Sequence, residues 1–313
     1  MTKLIKIASL GLPQDYRQSL LPMIINHLGY GIDWVKPKVA DLVIYGPFWA
    51  SRRPKLRWLP RGARPYFDQD LIPNRYSRPL SLFHTYENLR HDAVPADYSI
   101  SFDLGVSSPQ HYRFPYWMDL VDWSHEGIKG NQNPRYGRLL NLNRLLAPLG
   151  NHFLEKPDRA VFFSSHLREP RKTLYDILSA HLPVDGMGPS FDGVISDHHQ
   201  SGFEKFEVLK NYRFNLCPEN SAYPGYVTEK IPEAFMADTL PISWIDVNAR
   251  VDFNPDAFIN LLPDAWHGYD HIMSNLSNRA YLERFASQAL LVSRPSIEPF
   301  KGFVKNIIQL ALS

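Results

Sequence analysis

Residues 212–230 read YRFNLCPENSAYPGYVTEK and form the densest cluster of polar and charged side chains in the chain. Residues 214–216 have the apolar pattern of a short strand. Tyr-Pro-Gly at 223–225 predicts a turn, and residues 229–237 then have the pattern of a helix with Pro232 in or near its first turn. The stretch therefore predicts a strand, a turn and a helix start in immediate succession.

A helix start of this kind favours anions, because its first backbone N–H groups lack helical partners and the helix dipole is positive there. Lys230 at that position can neutralise a pyrophosphate, and Glu229 beside it can accept hydrogen bonds from a ribose diol. Glu219 and Asn220 follow the preceding strand and complete the polar cluster. The alternative is an ordinary helix start, whose glutamate favours the dipole and whose lysine is solvated. Residue spacing alone leaves both interpretations open.

Short strand patterns alternate with helical patterns on both sides of this stretch. In the first half, residues 14–28 predict a helix that ends at Gly29, a common residue at helix C-termini. In the second half, apolar residues recur at the spacing of one helical face over residues 171–181. This alternation predicts an α/β protein with a largely parallel sheet. The predicted strands are residues 4–10, 41–45, 81–85, 98–102, 160–164, 214–216 and 239–244.

Weak patterning and polar breaks over residues 131–156 predict a boundary between two α/β halves. We therefore expect one domain over residues 1–150 and a second over residues 151–295. Residues 296–313 predict an amphipathic helix that packs in a core, with packing back on the N-terminal domain as one arrangement; a membrane-surface helix is the alternative. The apolar stripe of this helix consists of Phe300, Phe303, Val304, Ile307 and Ile308.

The composition is that of a soluble globular protein, with 44% hydrophobic and 21% charged residues among 313. A formal net charge of +2 requires no nucleic-acid partner. Cys217 is the single cysteine, so no intrachain disulfide can form and a reducing compartment is favoured. The apolar run at residues 5–12 is too short for a membrane span or a signal-peptide core. We expect a cytoplasmic protein.

The central stretch resembles the signature of the α-1,3/4-fucosyltransferase family, which has the form F-x-L-x-x-E-N-S-x-x-x-x-Y-[VI]-T-E-K. The bacterial members are the most similar, since they share the F-N-L-C segment that precedes E-N. This many matches in fixed register make a specific pattern. The matching residues here are Phe214, Leu216, Glu219, Asn220, Ser221, Tyr226, Val227, Thr228, Glu229 and Lys230.

Weaker likeness to the same family covers most of residues 40–265. The segment FFSSHLREPRKTLYDIL resembles the family's strand, short loop and arginine-bearing helix, and it contains Ser164, Ser165 and Arg171. The segments FHTYEN at 83–88 and DYSISFD at 97–103 resemble the acceptor-side motif. Arg113 and Pro115 match the R-x-P step that follows that motif.

The resemblance implies two Rossmann-like domains facing a cleft, the GT-B arrangement. Residues 1–150 would bind the acceptor, and residues 151–295 would bind GDP-fucose. The implied reaction is inverting transfer of L-fucose from GDP-β-L-fucose to a hydroxyl of a glycan. The implied acceptor is N-acetylglucosamine of a Galβ-GlcNAc unit, fucosylated α-1,3 or α-1,4 in a bacterial oligosaccharide or lipopolysaccharide or in protein glycosylation. A lipid-linked acceptor would bring the protein to the membrane periphery, and no metal or other cofactor is expected.

The resemblance also implies roles for individual residues. A hydroxyl needs a base to take its proton during attack, and inversion puts that base opposite the leaving group, so the N-terminal half should supply it. Glu87 matches the family's base; the alternative is a surface glutamate at a strand end. Arg171 and Lys230 would stabilise the β-phosphate of the GDP leaving group, to which Tyr226 adds a hydroxyl donor. Glu229 would bind the ribose, and the residues lining the same site would be Asn220, Glu219 and Ser165.

The sequence is also compatible with two other functions. A GT-B transferase could use another nucleotide sugar, and a sugar-binding protein could have the same fold without turnover. Residues 184–190 (VDGMGPS) fit either a phosphate contact through backbone N–H groups or a plain turn.

Three further features carry competing interpretations. Asp68 and Asp70 form a D-x-D pattern, but too few other oxygen ligands accompany it to favour a metal site. His198 and His199 are adjacent, which is a poor arrangement for chelating zinc. The arginine-rich segment 50–79 is either a solvated loop or a surface that binds an acidic or lipid-linked acceptor.

Overall fold

The structure is a computed structural model that describes residues 3–49, 79–128, 138–191 and 202–313. The described residues group into two compact units. The N-terminal unit falls within Met1–Pro115, Trp123–Asn131 and Ser296–Ser313, and the C-terminal unit falls within Tyr116–Asp122 and Gln132–Pro295. Each unit is built on its own parallel sheet, so the predicted α/β class with two halves is confirmed.

The N-terminal unit contains a six-stranded sheet in the order β2-β1-β3-β4-β5-β6, in which every neighbouring pair is parallel. Ile5 and Ile7 of β1 are fully buried, as expected for a strand in the interior of a covered parallel sheet. The short edge strands β2 and β6 were not predicted, because they are only partly buried and show little apolar pattern. The strands are β1 (Lys3–Leu10), β2 (Tyr30–Trp34), β3 (Leu42–Tyr45), β4 (Leu80–His84), β5 (Tyr98–Ser101) and β6 (His111–Arg113).

The predicted helix over residues 14–28 is two shorter elements. A 3-10 helix covers Gln14–Gln18, and the α-helix α1 covers Leu20–His27. Between them, Ser19 has an extended backbone and its hydroxyl donates a hydrogen bond to the Tyr16 carbonyl. The break has a physical reason. Pro22 has no N–H group and is tolerated only in the first turn of a helix, whereas one continuous helix would place it in the interior.

The C-terminal helix α10 (Glu298–Ala311) packs against the sheet of the N-terminal unit. Phe300 stacks on Phe114 with ring centroids 4.0 Å apart, and it lies 5.2 Å from the ring of Tyr112. The ring of Phe303 contacts the ring of Tyr98 edge-on, with centroids 6.0 Å apart. The apolar face of this helix is therefore buried in protein. In the part of the chain that the structure describes, no helix has the length and apolar character needed to cross a membrane.

The C-terminal unit contains a five-stranded parallel sheet in the order β11-β10-β9-β7-β8. Residues 184–187, within the segment that fits either a phosphate contact or a turn, form the edge strand β8. The strands are β7 (Ala160–Phe163), β8 (Val184–Met187), β9 (Phe214–Leu216), β10 (Leu240–Ser243) and β11 (Ile259–Asn260). The helices are α2 (Tyr116–Asp119), α3 (Leu142–Leu146), α4 (His152–Glu155), α5 (Arg171–Ser179), α6 (Gly202–Leu209), α7 (Lys230–Met236), α8 (Asp270–Met273) and α9 (Arg279–Ala286).

The predicted domain bounds at residues 150 and 295 stay a prediction. Of the described residues, 138–150 belong to the C-terminal unit and 296–313 to the N-terminal unit.

The C-terminal end of α7 is fixed by a buried cation. The Lys156 ammonium donates hydrogen bonds to the carbonyls of Ala237 at 3.1 Å and Asp238 at 2.6 Å, and to the Thr239 hydroxyl at 3.2 Å. Burial lowers the pKa of Lys156 to about 8. A cation at the negative end of the helix dipole is favourable, so this contact stabilises α7 from the end opposite Lys230.

Gly188 permits a close approach at the carboxyl ends of β7 and β8. Its φ is +98°, a conformation that side chains rarely adopt, and a Cβ atom there would lie 2.8 Å from the carbonyl oxygen of Ser164. Gly150 has a similar φ of +83°, but a Cβ atom there would meet nothing within 4 Å. Comparing the same substitution at the two glycines therefore separates the cost of backbone strain from the cost of steric contact.

We predict that Gly188→Ala lowers the free energy of unfolding by about 1–3 kcal/mol more than Gly150→Ala does. Both variants acquire the strain of a positive φ, but only the first forces the Ser164 segment to move. Urea denaturation of the two variants measures the difference. Equal losses of stability would show that Ser164 yields without cost.

Candidate active site

The polar residues of the C-terminal unit gather where its parallel strands end. Ser164 and Ser165 follow β7, and the segment 217–220 follows β9. Helices α5 and α7 begin at the same edge, because they are the segments that leave these strands. Carboxyl ends of parallel strands and helix N-termini form the usual ligand-binding edge of an open α/β sheet. This edge is the candidate donor site.

Glu219 organises the start of α7 through a buried carboxylate that is 1% exposed. One of its oxygens accepts hydrogen bonds from the Thr228 backbone N–H and hydroxyl, both at 2.7 Å. The other oxygen pairs with the Lys230 ammonium, which also donates to the Thr228 hydroxyl at 2.8 Å. The carboxylate therefore positions Lys230 and fixes the segment that leads into the helix.

Arg171 begins α5 and is 7% exposed. Its guanidinium donates to the Asn220 side-chain oxygen, to the Ser164 hydroxyl at 3.3 Å and to the His166 ring at 3.2 Å. The buried Nε–H has no hydrogen-bond partner among the described residues. Burial lowers the pKa of Arg171, although the charges of neighbouring acids oppose the shift, and an arginine remains charged throughout the physiological range. A cation with an unused donor suits an anionic ligand.

A pocket at this edge is lined by four of the predicted residues: Ser165, Arg171, Glu229 and Lys230. Burial would raise the pKa of Glu229, but Lys230 and Lys205 lower it further, so the carboxylate stays ionised. Glu219, Asn220 and Tyr226 complete the set of seven donor-site predictions. The first two contact Lys230 and Arg171, and Tyr226 is buried within electrostatic range of Arg171. The structure thus brings the seven residues together, while their roles stay predictions.

The sequence interpretation missed two charged residues of this site. Lys205 lines the pocket from α6, and its ammonium pairs with the Glu233 carboxylate of α7. Nothing in the local sequence distinguishes Lys205 from a solvated helix lysine. Cys217 directly follows β9 and is buried, and burial raises the pKa of its thiol far above the usual range.

In the N-terminal unit, Glu87 lies just beyond the end of β4 and is partly exposed. The Thr85 hydroxyl accepts a hydrogen bond from the Glu87 backbone N–H at 3.1 Å and donates to the Glu87 carbonyl at 3.2 Å. The backbone N–H of Leu89 donates to the same carbonyl at 2.6 Å. These bonds hold the backbone of Glu87 in a tight turn.

A buried carboxylate secures the chain on the other side of Glu87. Asp103 follows β5 and is 2% exposed. It pairs with the Arg90 guanidinium at 2.9 Å, with the His91 ring at 3.0 Å and with the His91 backbone N–H. It also accepts a hydrogen bond from the Ser101 hydroxyl at 3.2 Å. Asp103 lies in the predicted acceptor-side motif, but its partners are not evident from the sequence.

Several sequence features lie outside the described residues. They are Asp68 and Asp70, His198 and His199, and the arginine-rich segment 50–78. Within residues 3–49, 79–128, 138–191 and 202–313, no group of three histidine, cysteine or acidic side chains could hold a metal ion. The expectation that no metal is needed stays a prediction.

Two α/β units, each on a parallel sheet, are the architecture of the GT-B class of glycosyltransferases. The cationic edge of the C-terminal unit suits the nucleotide diphosphate sugars that such proteins bind.

Comparison with known proteins finds similarity to one family of glycosyltransferases. Residues 153–278 match the family described as glycosyltransferase family 10 (fucosyltransferase), C-terminal domain. An α-(1,3)-fucosyltransferase of Helicobacter pylori is 31% identical over 206 residues, which are 59% of this chain and 41% of that protein. The chain therefore spans less than half of the length of this curated relative. Residues 153–278 are similar to the family 10 C-terminal domain, and the resemblance of the chain to the α-1,3/4-fucosyltransferases is confirmed.

The similarity in fold extends over almost the whole chain. A crystal structure of α1,3-fucosyltransferase superimposes with a TM-score of 0.67 at 25% identity, covering 98% of this chain and 90% of that one. A second, of α1,3-fucosyltransferase with GDP-fucose, gives a TM-score of 0.66 at 22% identity and covers 99% and 92% of the two chains.

His84 is a buried titratable group close to Glu87 in the chain. Its side chain is 1% exposed, and its Nδ1 atom shares a hydrogen bond of 2.7 Å with the Tyr16 hydroxyl. The Nε2 atom is buried with no partner among the described residues. Burial lowers the pKa of His84 from 6.5 to about 3, so the ring is neutral in the folded protein at neutral pH.

We predict that His84 makes the N-terminal unit sensitive to acid. Its folded pKa is below its unfolded value, so its contribution to stability is complete above pH 6.5 and is lost as pH falls toward 3. The free energy of unfolding then falls by about 1.4 kcal/mol per pH unit, because the unfolded state binds one more proton. His84→Gln keeps a partner for the Tyr16 hydroxyl without titrating. Urea denaturation between pH 6.5 and 4.5 should show a flatter dependence in His84→Gln; identical slopes would contradict the prediction.

Proposed function

We propose that this chain transfers L-fucose from GDP-β-L-fucose to a hydroxyl of a glycan, with inversion at the fucose anomeric carbon. The observation that supports this most directly is the buried Glu219 carboxylate, which pairs with Lys230 within the fucosyltransferase motif. Burying a carboxylate is unfavourable, and the role of this one is to position the Lys230 ammonium. The solved α1,3-fucosyltransferase with GDP-fucose supports the choice of donor.

The donor site favours departure of GDP. Its β-phosphate gains negative charge as the bond to fucose breaks, and fixed cations stabilise that charge more in the transition state than in the ground state. Arg171 has a donor without a partner among the described residues, and Lys230 lines the same pocket. The ionised Glu229 is suited to accept hydrogen bonds from the ribose diol. Tyr226 adds a phenol donor to this group.

Glu87 is the proposed general base, which takes the proton of the acceptor hydroxyl as that oxygen attacks the fucose anomeric carbon. The support comes from its match to the family's base and from the two hydrogen bonds to Thr85 that fix its backbone. A base held in one position loses less entropy in the transition state.

Side-chain cations are proposed to replace a metal in this reaction. Arg171 and Lys230 supply two positive charges at the diphosphate, the role that Mg²⁺ has in many phosphate sites. We therefore expect transfer to proceed without a divalent ion.

The acceptor is proposed to be the N-acetylglucosamine of a Galβ-GlcNAc unit, fucosylated at O3 or O4. A bacterial lipopolysaccharide or other surface oligosaccharide assembled in the cytoplasm would supply such a unit. If that oligosaccharide is lipid-linked, the protein works at the membrane periphery.

A GDP-release assay tests the function. With GDP-fucose and a Galβ-GlcNAc acceptor, GDP should be released in the presence of a chelator. Glu87→Gln should lower kcat by about 100- to 10,000-fold and keep the affinity for GDP, because it removes the base and leaves the donor site intact.

The same assay separates the alternatives. Faster release from GDP-mannose or a UDP sugar would indicate a transferase with another donor. If the parent protein binds GDP-fucose but shows no turnover, the result would indicate a sugar-binding protein. Loss of all activity on chelation would contradict the proposed metal independence.

We predict that Arg171→Lys weakens GDP binding by about tenfold or more, since a lysine cannot reproduce the forked contacts of a guanidinium. Arg159→Lys is the matched control. Arg159 pairs with Asp185 at 2.7 Å near the amino ends of β7 and β8, away from the edge at which Arg171 lies. Titration calorimetry with GDP measures both. Equal affinities of the two variants for GDP would show that Arg171 does not bind the diphosphate.

A further inference from the structure

The inner part of the donor pocket contains a side chain that the proposed chemistry does not use. Asn215 lies in β9, between Phe214 and Leu216, and it lines the pocket. β9 has a strand paired on each side, β7 and β10. An apolar residue would be the usual choice at such a position.

Asn215 is 2% exposed, and its Oδ1 atom is buried without a hydrogen-bond partner among the described residues. Burying an acceptor without a donor is unfavourable, and native structures rarely tolerate it without a functional reason. Asn260 in β11 of the same sheet provides the contrast. It accepts from two backbone N–H groups at 3.2 Å and donates to the Ile245 carbonyl at 2.9 Å.

Lys205 and Phe163 line the same pocket as Asn215. Lys205 pairs with Glu233, and its ammonium lies 5.7 Å from the centroid of the Phe163 ring. Burial lowers the pKa of Lys205, but Glu233 and Glu229 raise it further, so the ammonium stays charged. A charged ammonium can only donate hydrogen bonds, and only one of its three N–H groups is needed for Glu233.

An unpaired acceptor, a donor and an aromatic surface in one pocket suit a planar heterocycle. Guanine and uracil present a carbonyl oxygen beside a ring N–H. Adenine and cytosine present the reverse, an amino group beside a bare ring nitrogen. A carbonyl can accept from Lys205 while the adjacent ring N–H donates to Asn215, but the reversed edge matches neither group.

We propose that Asn215 and Lys205 form the base-recognition part of the donor site and select a base with a carbonyl beside a ring N–H. The inference rests on the proposed function, which makes that base guanine. Asn215 accepts from the ring N–H, Lys205 donates to the carbonyl, and Phe163 offers a surface for the ring. The orphaned acceptor in β9 is therefore a specificity determinant.

Binding of three nucleotides tests the inference without turnover. Inosine diphosphate keeps the carbonyl and ring N–H of guanosine diphosphate, whereas adenosine diphosphate reverses them. In the parent protein, we expect the guanosine and inosine diphosphates to bind at least about tenfold more tightly than adenosine diphosphate, measured by titration calorimetry. Asn215→Leu should reduce that ratio several-fold, because Lys205 alone then discriminates the carbonyl.

Ligand-free stability provides a second readout. Asn215→Leu removes an unpaired buried acceptor, so its midpoint of urea unfolding should equal or exceed that of the parent protein. Asn260→Leu removes three hydrogen bonds and should unfold at lower urea while keeping the nucleotide preference. A structural role for Asn215 would give the opposite result, a lower midpoint with an unchanged preference, and would overturn the inference.

The outcomes also separate this inference from the proposed function. A parent protein that binds none of the three diphosphates contradicts both. A parent protein that binds guanosine and adenosine diphosphates equally, or an Asn215→Leu variant that keeps the preference, overturns the inference alone. Release of GDP from GDP-fucose would then still stand as the function.

Discussion

The ion pair of the buried Glu219 carboxylate with Lys230 is the interaction on which the candidate donor site depends. Removing a carboxylate from water is unfavourable unless cations and N–H groups surround it. Here Thr228 and Lys230 supply these partners, and both lie in the segment that opens α7. The desolvated charge therefore ties the end of β9 to the start of α7. It also keeps Lys230 partly buried, where its charge is less screened by water than at an open surface.

Charge is balanced closely around this pocket. Acidic groups accompany the cations: Glu219 pairs with Lys230, and Glu233 pairs with Lys205. Arg171 differs, because the described hydrogen bonds of its guanidinium go to neutral groups. A cation whose hydrogen bonds go to neutral acceptors has no direct ion pair to cancel its charge, so Arg171 is suited to attract a diphosphate.

The N-terminal unit shows the same strategy at a different place. Asp103 is buried and surrounded by donors from residues 90 and 91, as Glu219 is by donors from the start of α7. In both units a desolvated carboxylate shortly after a strand fixes a neighbouring segment that carries predicted site residues. Thr85 completes this arrangement around Glu87. Such anchors reduce the entropy that must be lost when substrates bind.

The amino-acid sequence determined the parts of this protein that depend on near neighbours. The strand, turn and helix start of residues 212–230 follow from local apolar pattern and turn chemistry, as does the alternation of strands and helices. Tertiary structure alone decided which distant side chains meet. Arg171 contacts Asn220 across 49 residues and Lys205 contacts Glu233 across 28, because β7 lies between β8 and β9 in the sheet. Strand order depends on the packing of the whole unit, and no local pattern encodes it.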